Sequence, residues 1–162
     1  MRPGEVDGVN YHFVSQDEFQ EKIKADDFIE HAKVFNNYYG TSKCKLNEEL
    51  EKGNDVILEI DWQGAEQVRN LFSEAISIFI FPPSLEILEQ RLLQRGQDDA
   101  AIIKTRMDEA RNEISHYQEF DYLVINDDFE QALLELKAII IAERKKRQRM
   151  QKSHKEIIGR MI

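Results

Sequence analysis

Hydrophobic residues in the first part of the chain recur four positions apart before the pattern becomes strand-like. Phe19 and Ile23 lie at i and i+4, which places both side chains on one face of a helix. Ser15 and Glu18 have the spacing of a capping box, in which each side chain accepts a hydrogen bond from the other residue's backbone N–H. A helix is therefore predicted from Ser15 to about Lys24.

Three short runs of aromatic and β-branched residues predict strands around this helix. They cover residues 11–14, 28–35 and 38–41. Asparagines occupy residues 36–37, and a hairpin turn is predicted there because asparagine tolerates positive φ. The first third of the chain is thus predicted to be a small, sheet-rich unit with a boundary near residues 42–46.

A short, largely apolar segment runs from Asp55 to Asp61 and is followed by Trp62, Gln63 and Gly64. Its length and the turn residues on both sides favour a strand buried on both faces of a parallel sheet. Ligands bind beyond the carboxyl ends of such strands, which is where Glu59 and Asp61 lie. Alternation places both carboxylates on the same face. Two buried acids are costly without a cation or a hydrogen-bond donor, so this strand end is a candidate site.

The rest of the chain alternates between helical and strand-like spacing. Ser84 is predicted to cap a helix that Gly96 closes, with leucines on its inner face. The remaining predicted helices cover about residues 47–52, 62–72, 100–117 and 129–150, and the remaining predicted strands cover residues 75–81 and 121–126. Strands that alternate with helices indicate an α/β layered domain.

Composition excludes several classes of protein. The chain has 162 residues, enough for one domain, and a formal net charge of −9, which argues against general binding to nucleic acid or anionic membranes. Cys44 is the single cysteine, so there is no disulfide framework, and a reduced thiol suits a cytoplasmic protein. No apolar run approaches the ~20 residues that span a bilayer, and the first residues lack the hydrophobic core of a secretory signal.

Arginines form the first candidate group for chemistry. Arg91 and Arg95 are spaced i, i+4 and share a helix face, and Arg106 follows after a glycine loop. Guanidinium groups match phosphate oxygens, but charged residues on helices are commonly solvated. Spacing alone therefore favours an exposed polar face over a phosphate site.

A second candidate group lies in the sheet-rich unit. Glu30 is the notable member, because a carboxylate is a poor strand former and can accept hydrogen bonds from two adjacent N–H groups. An outward-facing strand residue is the simpler interpretation from spacing alone. The four histidines show no metal-ligand spacing, and the basic run from Arg144 to Arg149 suits a helix C-terminus better than nucleic-acid binding.

Together these residues form an ordered set of motifs that resembles the guanylate kinase family from Arg2 to about Arg147. The motifs are Arg2-Pro-Gly-Glu5-Val-Asp-Gly8-Val-Asn-Tyr11-His-Phe13, Phe28-Ile-Glu30, Asn37-Tyr-Tyr39-Gly40-Thr41, Glu59-Ile-Asp61-Trp-Gln-Gly64, Pro82-Pro-Ser84, Arg91-Leu-Leu-Gln-Arg95-Gly96 and Ile125-Asn126-Asp-Asp128. So many motifs in the family's order replace the simpler interpretations of the arginines and of Glu30.

The resemblance implies an α/β fold of the P-loop nucleoside monophosphate kinase type. This fold has a parallel sheet core, a small mixed-sheet subdomain that binds GMP, and a helical lid. The GMP-binding subdomain would cover residues 1–44, the core residues 45–90 and 118–162, and the lid region residues 91–117. The implied activity is the transfer of the ATP γ-phosphate to GMP, which gives ADP and GDP.

The resemblance also implies roles for particular residues. Arg2 and Tyr11 would contact the GMP phosphate, with Tyr39 and Gly40 beside them. Glu30, Thr41 and Asp61 would contact the guanine. Glu59 would lie near Mg²⁺ and Asn126 against the adenine. The arginines of the lid would be Arg91, Arg95 and Arg106. ATP and Mg²⁺ are the implied cofactors, with no nucleic acid or membrane partner, and the protein is expected to be a monomer or a homo-oligomer.

The chain departs from the family in one respect. It contains no G-x-x-x-x-G-K-[ST] phosphate loop, and the strand that feeds this loop would lie next to Asp55–Asp61. We expect a chain that corresponds to the C-terminal part of the enzyme, through a misassigned start or a truncation, with weakened ATP binding and exposed apolar surface. The alternative is a non-catalytic guanylate-kinase-like module that binds GMP or a protein partner.

Overall fold

The computed structural model describes residues 4–34, 37–95 and 100–162, and the chain divides into two compact units, Met1–Ala75 and Ile76–Ile162. The elements of the first unit are α1 (Gln16–Lys24), β1 (Phe28–Val34), β2 (Asn37–Ser42), α2 (Lys43–Glu51) and α3 (Trp62–Leu71). The elements of the second unit are β3 (Ile78–Phe81), α4 (Leu85–Arg95), α5 (Ala100–Ser115), a 3₁₀ turn (Tyr117–Glu119), β4 (Tyr122–Ile125), α6 (Phe129–Arg144), α7 (Arg147–Ser153) and α8 (Lys155–Gly159).

The capping box at the start of α1 is confirmed. The Glu18 N–H donates to Ser15 Oγ at 3.2 Å, and the Ser15 N–H donates to Glu18 Oε2 at 2.8 Å. Phe19 is buried and its ring stacks on Phe28 of β1, with 4.7 Å between the ring centroids. The helical spacing seen in the sequence therefore points α1 at the small sheet.

The small sheet is a two-stranded antiparallel hairpin, which confirms the two predicted strands. The register pairs Glu30 with Thr41 and His31 with Gly40, and a bulge lies between Phe28 and Glu30. Within the described ranges the small sheet has one antiparallel strand pairing, whereas the sheet of the second unit has one parallel pairing. The predicted turn at residues 36–37 lies partly outside the described residues.

Two further predictions in this unit need correction. The predicted strand over residues 11–14 forms a single bridge, between Asp7 and Tyr11, because no extended partner continues the ladder. Helix α2 begins at Lys43, four residues before the prediction, since the Ser42 hydroxyl accepts a hydrogen bond from the Lys45 N–H at 3.4 Å. Helix α2 thus begins within residues 42–46, and the subdomain boundary predicted there stays a prediction.

The prediction of a buried strand at Asp55–Asp61 is wrong. The segment is irregular until α3 begins, no described strand pairs with it, and Ile57 is 74% exposed with Val56 also exposed. A strand exists through its ladder of hydrogen bonds, so an apolar sequence without a neighbouring strand stays unpaired. The expectation of exposed apolar surface at this segment is confirmed.

The second unit contains a parallel pair of strands. Ile78 pairs with Tyr122 and Phe81 with Ile125, and Val124 is 1% exposed. Helices α4 and α5 pack through a cluster of Leu85, Leu88, Leu92, Ile103 and Met107, and its leucines confirm the predicted inner face of α4. This pairing builds the parallel α/β part of the fold.

The predicted long helix over residues 129–150 is confirmed up to Arg144 and is interrupted at residues 145–146. Helix α6 ends at Arg144, and Lys146 has non-helical backbone angles (φ −54°, ψ 137°) before α7 begins. Neighbouring cations in the run from Arg144 to Arg149 repel one another at helical spacing, which favours a break at this point. Across the described ranges, no helix combines the length and the apolar character needed to cross a membrane.

Candidate functional site

Glu30 is the centre of the candidate site. It is buried in β1, with 3% of its surface exposed, and its Oε1 accepts a hydrogen bond of 2.6 Å from the Thr41 hydroxyl. The antiparallel register places Thr41 directly opposite Glu30, so the hairpin itself creates this contact. A buried carboxylate needs such donors because burial without them is costly.

The N-terminus of α3 forms the other side of the Glu30 environment. Asp61 is the N-cap, and its Oδ1 accepts from the Gly64 N–H at 2.8 Å while its Oδ2 accepts from the Gln63 side-chain amide at 3.1 Å. A Cβ placed on Gly64 would lie 2.7 Å from Glu30 Oε2. The two predicted guanine-reading acids are thus brought together, with a glycine where their close approach needs one.

The electrostatics of Glu30 follow from this crowding. Burial raises the pKa of its carboxyl above the ordinary value, the Thr41 hydrogen bond opposes that rise, and the negative charge of Asp61 adds to it. A carboxylate held under these conditions is a strong acceptor for N–H groups that could replace lost solvation. The site is therefore suited to a ligand that presents adjacent donors.

Two tyrosines predicted to contact a phosphate also lie together. The rings of Tyr11 and Tyr39 meet edge to face with 5.8 Å between their centroids, and Phe13 packs on Tyr11 at the same distance. Gly40 is close-packed, because a Cβ there would lie 3.0 Å from the Phe28 ring. Arg2 lies outside the described residues, so its predicted role is not addressed by the structure.

Glu59 lies in the exposed, irregular segment before α3. Within the described ranges, no group of three or more histidine, cysteine, aspartate or glutamate side chains is arranged to hold a metal ion. Mg²⁺ commonly binds one or two carboxylates and completes its shell with substrate phosphates and water. A single exposed carboxylate fits that kind of shared site.

Arg91 connects α4 to the end of β4. Its guanidinium donates to the Asn126 carbonyl at 2.7 Å and to the Asp127 carbonyl at 3.1 Å. These carbonyls follow the carboxyl end of a parallel strand, where α/β proteins bind ligands. The structure thus brings two predicted site residues, Arg91 and Asn126, into direct contact.

The other two predicted lid arginines are less closely placed. Arg106 is partly buried on α5, which packs against α4. The side chain of Arg95 lies outside the described part of the chain, so convergence of the three guanidinium groups stays a prediction.

Sequence reasoning missed the roles of Gly64 and Gln67. A glycine in the first turns of a helix costs up to about 1 kcal/mol relative to alanine, and this cost was a usable signal of close packing at Gly64. Gln67 bonds to the backbone of β1. No local pattern marks that contact, because its partner is 36 residues away in sequence.

Comparisons with known proteins match almost the whole chain. Residues 1–143 match the family model described as Guanylate kinase. A protein named guanylate kinase from Hahella chejuensis is 63% identical over 144 residues, which cover 89% of this chain and 69% of that protein. One from Pseudomonas fluorescens strain Pf0-1 is 56% identical over all of this chain and 79% of its own length.

A solved structure is also similar. The crystal structure of guanylate kinase from Anaplasma phagocytophilum aligns with a TM-score of 0.78 and 34% sequence identity. The alignment covers 94% of this chain and 78% of that one. The agreement extends over both compact units, because neither unit alone makes up that share of the chain.

Proposed function

This chain belongs to the guanylate kinase family, whose reaction is the phosphorylation of GMP by ATP, and we propose that it binds the guanine of GMP through Glu30, Thr41 and Asp61. The family match and the similar crystal structure confirm the predicted family and the predicted nucleoside monophosphate kinase fold. They also confirm ATP as the phosphate donor of the family. The roles of individual residues are proposals.

The observation that carries the proposal is the buried carboxylate of Glu30 between Thr41 and α3. Guanine presents two adjacent donors, N1–H and the 2-amino group, and a carboxylate can accept both. Adenine presents an acceptor at N1, which would leave Glu30 facing a lone pair. A site built around buried polar groups rejects ligands that leave those groups unpaired.

The phosphate of GMP would lie at the other end of the hairpin. Tyr11 and Tyr39 carry hydroxyl groups that can donate to phosphate oxygens, and their rings are in contact. Arg2 and Gly40 complete the proposed phosphate contacts. In this arrangement residues 1–44 form the GMP-binding subdomain.

The ATP side of the proposal uses the remaining residues. Residues 45–90 and 118–162 would form the core, and residues 91–117 the lid. Phosphoryl transfer depends on positioning and on neutralising charge rather than on covalent chemistry. Arg91, Arg95 and Arg106 would supply positive charge to the transferring group and Asn126 would contact the adenine. Glu59 would hold Mg²⁺, which neutralises charge on the phosphates of ATP.

Calorimetric titration of this chain with GMP, AMP and ATP–Mg²⁺ tests the proposal. We expect GMP to bind and AMP not to bind, and Glu30→Gln to weaken GMP by about 100-fold, because an amide donor then faces the guanine donors. The matched control is Glu66→Gln, an exposed acid on α3, which should bind GMP normally.

The outcomes separate the proposed site from its alternatives. Turnover of GMP with ATP in a coupled assay supports the kinase reaction for this chain. GMP binding without ATP binding supports the guanine site and favours the non-catalytic alternative. Equal binding of GMP and AMP, or an unchanged GMP affinity in Glu30→Gln, contradicts the proposed guanine site.

A further inference from the structure

The side-chain amide of Gln67 pairs with both backbone polar groups of a single residue in β1. Its Oε1 accepts from the His31 N–H at 3.1 Å, and its Nε2 donates to the His31 carbonyl at 2.9 Å. The same Nε2 also donates to the Gln63 carbonyl at 3.2 Å, one turn earlier in α3. Three hydrogen bonds therefore hold this amide in one orientation.

The position of His31 in the hairpin explains why such a contact is needed. His31 lies opposite Gly40 in an antiparallel pair of strands, and within the described residues β1 has no second strand on its other edge. Edge strands present backbone groups without ladder partners, and buried backbone groups require partners. The Gln67 amide has the donor and acceptor of a peptide group and takes the place of a neighbouring strand at this point.

The hydrogen bonds between Gln67 and His31 lie next to the candidate guanine site in sequence and in space. His31 directly follows Glu30, and Gly64, which contacts the Glu30 carboxylate, lies one turn before Gln67 on the same helix face. The strand that carries Glu30 is thus fastened to the helix that forms the wall against it. A shift of β1 along α3 would move the Glu30 oxygens out of their positions against both Thr41 and Gly64.

We propose that Gln67 is a positioning residue for guanine recognition, which through its paired hydrogen bonds to His31 holds the Glu30 carboxylate where it can accept two N–H groups from the base. The inference rests on the proposed function for the identity of the ligand. Small displacements of a recognition group weaken paired hydrogen bonds strongly, since their strength depends on distance and angle.

The main test compares GMP with inosine monophosphate, which lacks the 2-amino donor. Gln67→Met keeps the side-chain length and removes all three hydrogen bonds. We expect its GMP dissociation constant to rise about tenfold and its preference for GMP over inosine monophosphate to fall towards one. Gln131→Met is the matched control, because the exposed Gln131 donates to Glu135 within α6 and the loss of this bond should change neither quantity.

A purely structural role gives a different result. In that case Gln67→Met lowers the melting temperature but leaves the preference between the two nucleotides unchanged at temperatures where the protein is folded, and the inference is overturned. If Gln67→Met does not fold, Gln67→Asn serves instead, because its shorter amide does not reach both groups of His31 and the same loss of preference is expected.

A second readout does not require nucleotide binding. Carbon-detected NMR of labelled glutamate follows the titration of Glu30 in the free chain. We expect its pKa to move towards the ordinary value in Gln67→Met, because a displaced carboxylate loses the burial that raises it. An unchanged Glu30 titration overturns the inference. If the unsubstituted chain binds no GMP, the proposed function fails, while this titration still decides the role of Gln67.

Discussion

Glu30 and Gly64 approach so closely that the β-carbon of any other residue at position 64 would lie 2.7 Å from Glu30 Oε2. Real β-carbons essentially never make contacts of that length, so the glycine defines the wall against which the carboxylate rests. The close approach joins the hairpin to the start of α3.

Gly64→Ala should separate nucleotide binding from stability. The new methyl group displaces the Glu30 carboxylate, and we expect GMP affinity measured by calorimetry to fall by about tenfold or more, since a 1.4 kcal/mol loss is tenfold. The displaced carboxylate also loses its hydrogen bond from Thr41, but alanine is the better helix former by up to about 1 kcal/mol, so the free energy of unfolding should fall by less than the free energy of GMP binding. Gly159→Ala is the control, because nothing lies within 4 Å of its Cβ position. Undiminished GMP affinity in Gly64→Ala would show that this contact does not hold Glu30.

Thr41→Val removes the hydroxyl that donates to Glu30 Oε1 while preserving the side-chain shape. The hydroxyl donates at 2.6 Å to a buried carboxylate, so we expect the free energy of unfolding to fall by about 1–3 kcal/mol in urea titrations. The pKa of Glu30 should rise further, because the hydrogen bond that opposes the effect of burial is gone. Thr41→Ser should keep both quantities near those of the unsubstituted chain. Thr105→Val, which removes an exposed hydroxyl from α5, should also have little effect.

The raised pKa of Glu30 gives the chain a defined pH dependence. A carboxyl whose pKa is higher in the folded state favours folding while it is protonated, and this contribution is lost as the pH rises through the raised value. Glu30→Gln should therefore be more stable than the unsubstituted chain at neutral pH. The difference should disappear in acid, below the pKa of glutamate in the unfolded chain. Thermal unfolding across pH 3 to 8 (roughly the range over which carboxyl groups titrate) measures it.

Glu18 has a lowered pKa, in contrast to Glu30, and can be tested by the same thermal unfolding across pH. Hydrogen bonds from the backbone and side chain of Ser15 lower its pKa, so its contribution is present above the pKa of unfolded glutamate and is lost as the pH falls. Glu18→Gln should reduce stability at neutral pH. A Glu30→Gln profile that parallels that of Glu18→Gln would contradict the assignment of Glu30 as a carboxyl destabilised by burial.

Tyr122→Phe tests the hydrogen bond that Tyr122 donates to Glu143, a buried acid in the second unit. The Tyr122 hydroxyl donates to Glu143 Oε1 at 2.6 Å, and hydrogen bonds from Lys146 and Tyr122 lower the pKa of that carboxyl. We expect the variant to unfold at a lower denaturant concentration at neutral pH. Its disadvantage should shrink as the pH falls through the lowered pKa of Glu143, because protonation removes the same stabilisation from the unsubstituted chain.

A matched tyrosine provides the control for this variant. Tyr117 also packs its ring in the second unit, but its hydroxyl makes an exposed contact with Gln118. Tyr117→Phe should unfold like the unsubstituted chain. Equal losses in the two variants would mean that the Glu143 hydrogen bond adds nothing specific.

Some of the fold was predictable because its causes are local. The capping box of Ser15 and Glu18 and the leucine face of α4 depend on residues within a few positions of one another, and the structure confirms them. The antiparallel register that places Thr41 opposite Glu30 also follows from a short hairpin. The residue types of the candidate site were predictable through the ordered motifs of the family.

Other features depended on partners that the local sequence does not specify. Residues 55–61 have the composition of a buried strand but lie exposed, because strand formation requires a neighbouring strand and none of the described residues supplies one. The long predicted C-terminal helix is interrupted after Arg144, and a second helix begins at Arg147.

The sequence by itself determined the family of this protein, the acids available to bind a base, and the helices whose caps and spacing are local. Only the tertiary structure decided that Glu30 is buried against Gly64 and that Gln67 completes the hydrogen bonds of His31 from 36 residues away. Burial and unpaired backbone groups are properties of the folded arrangement, since both depend on which distant segments come into contact.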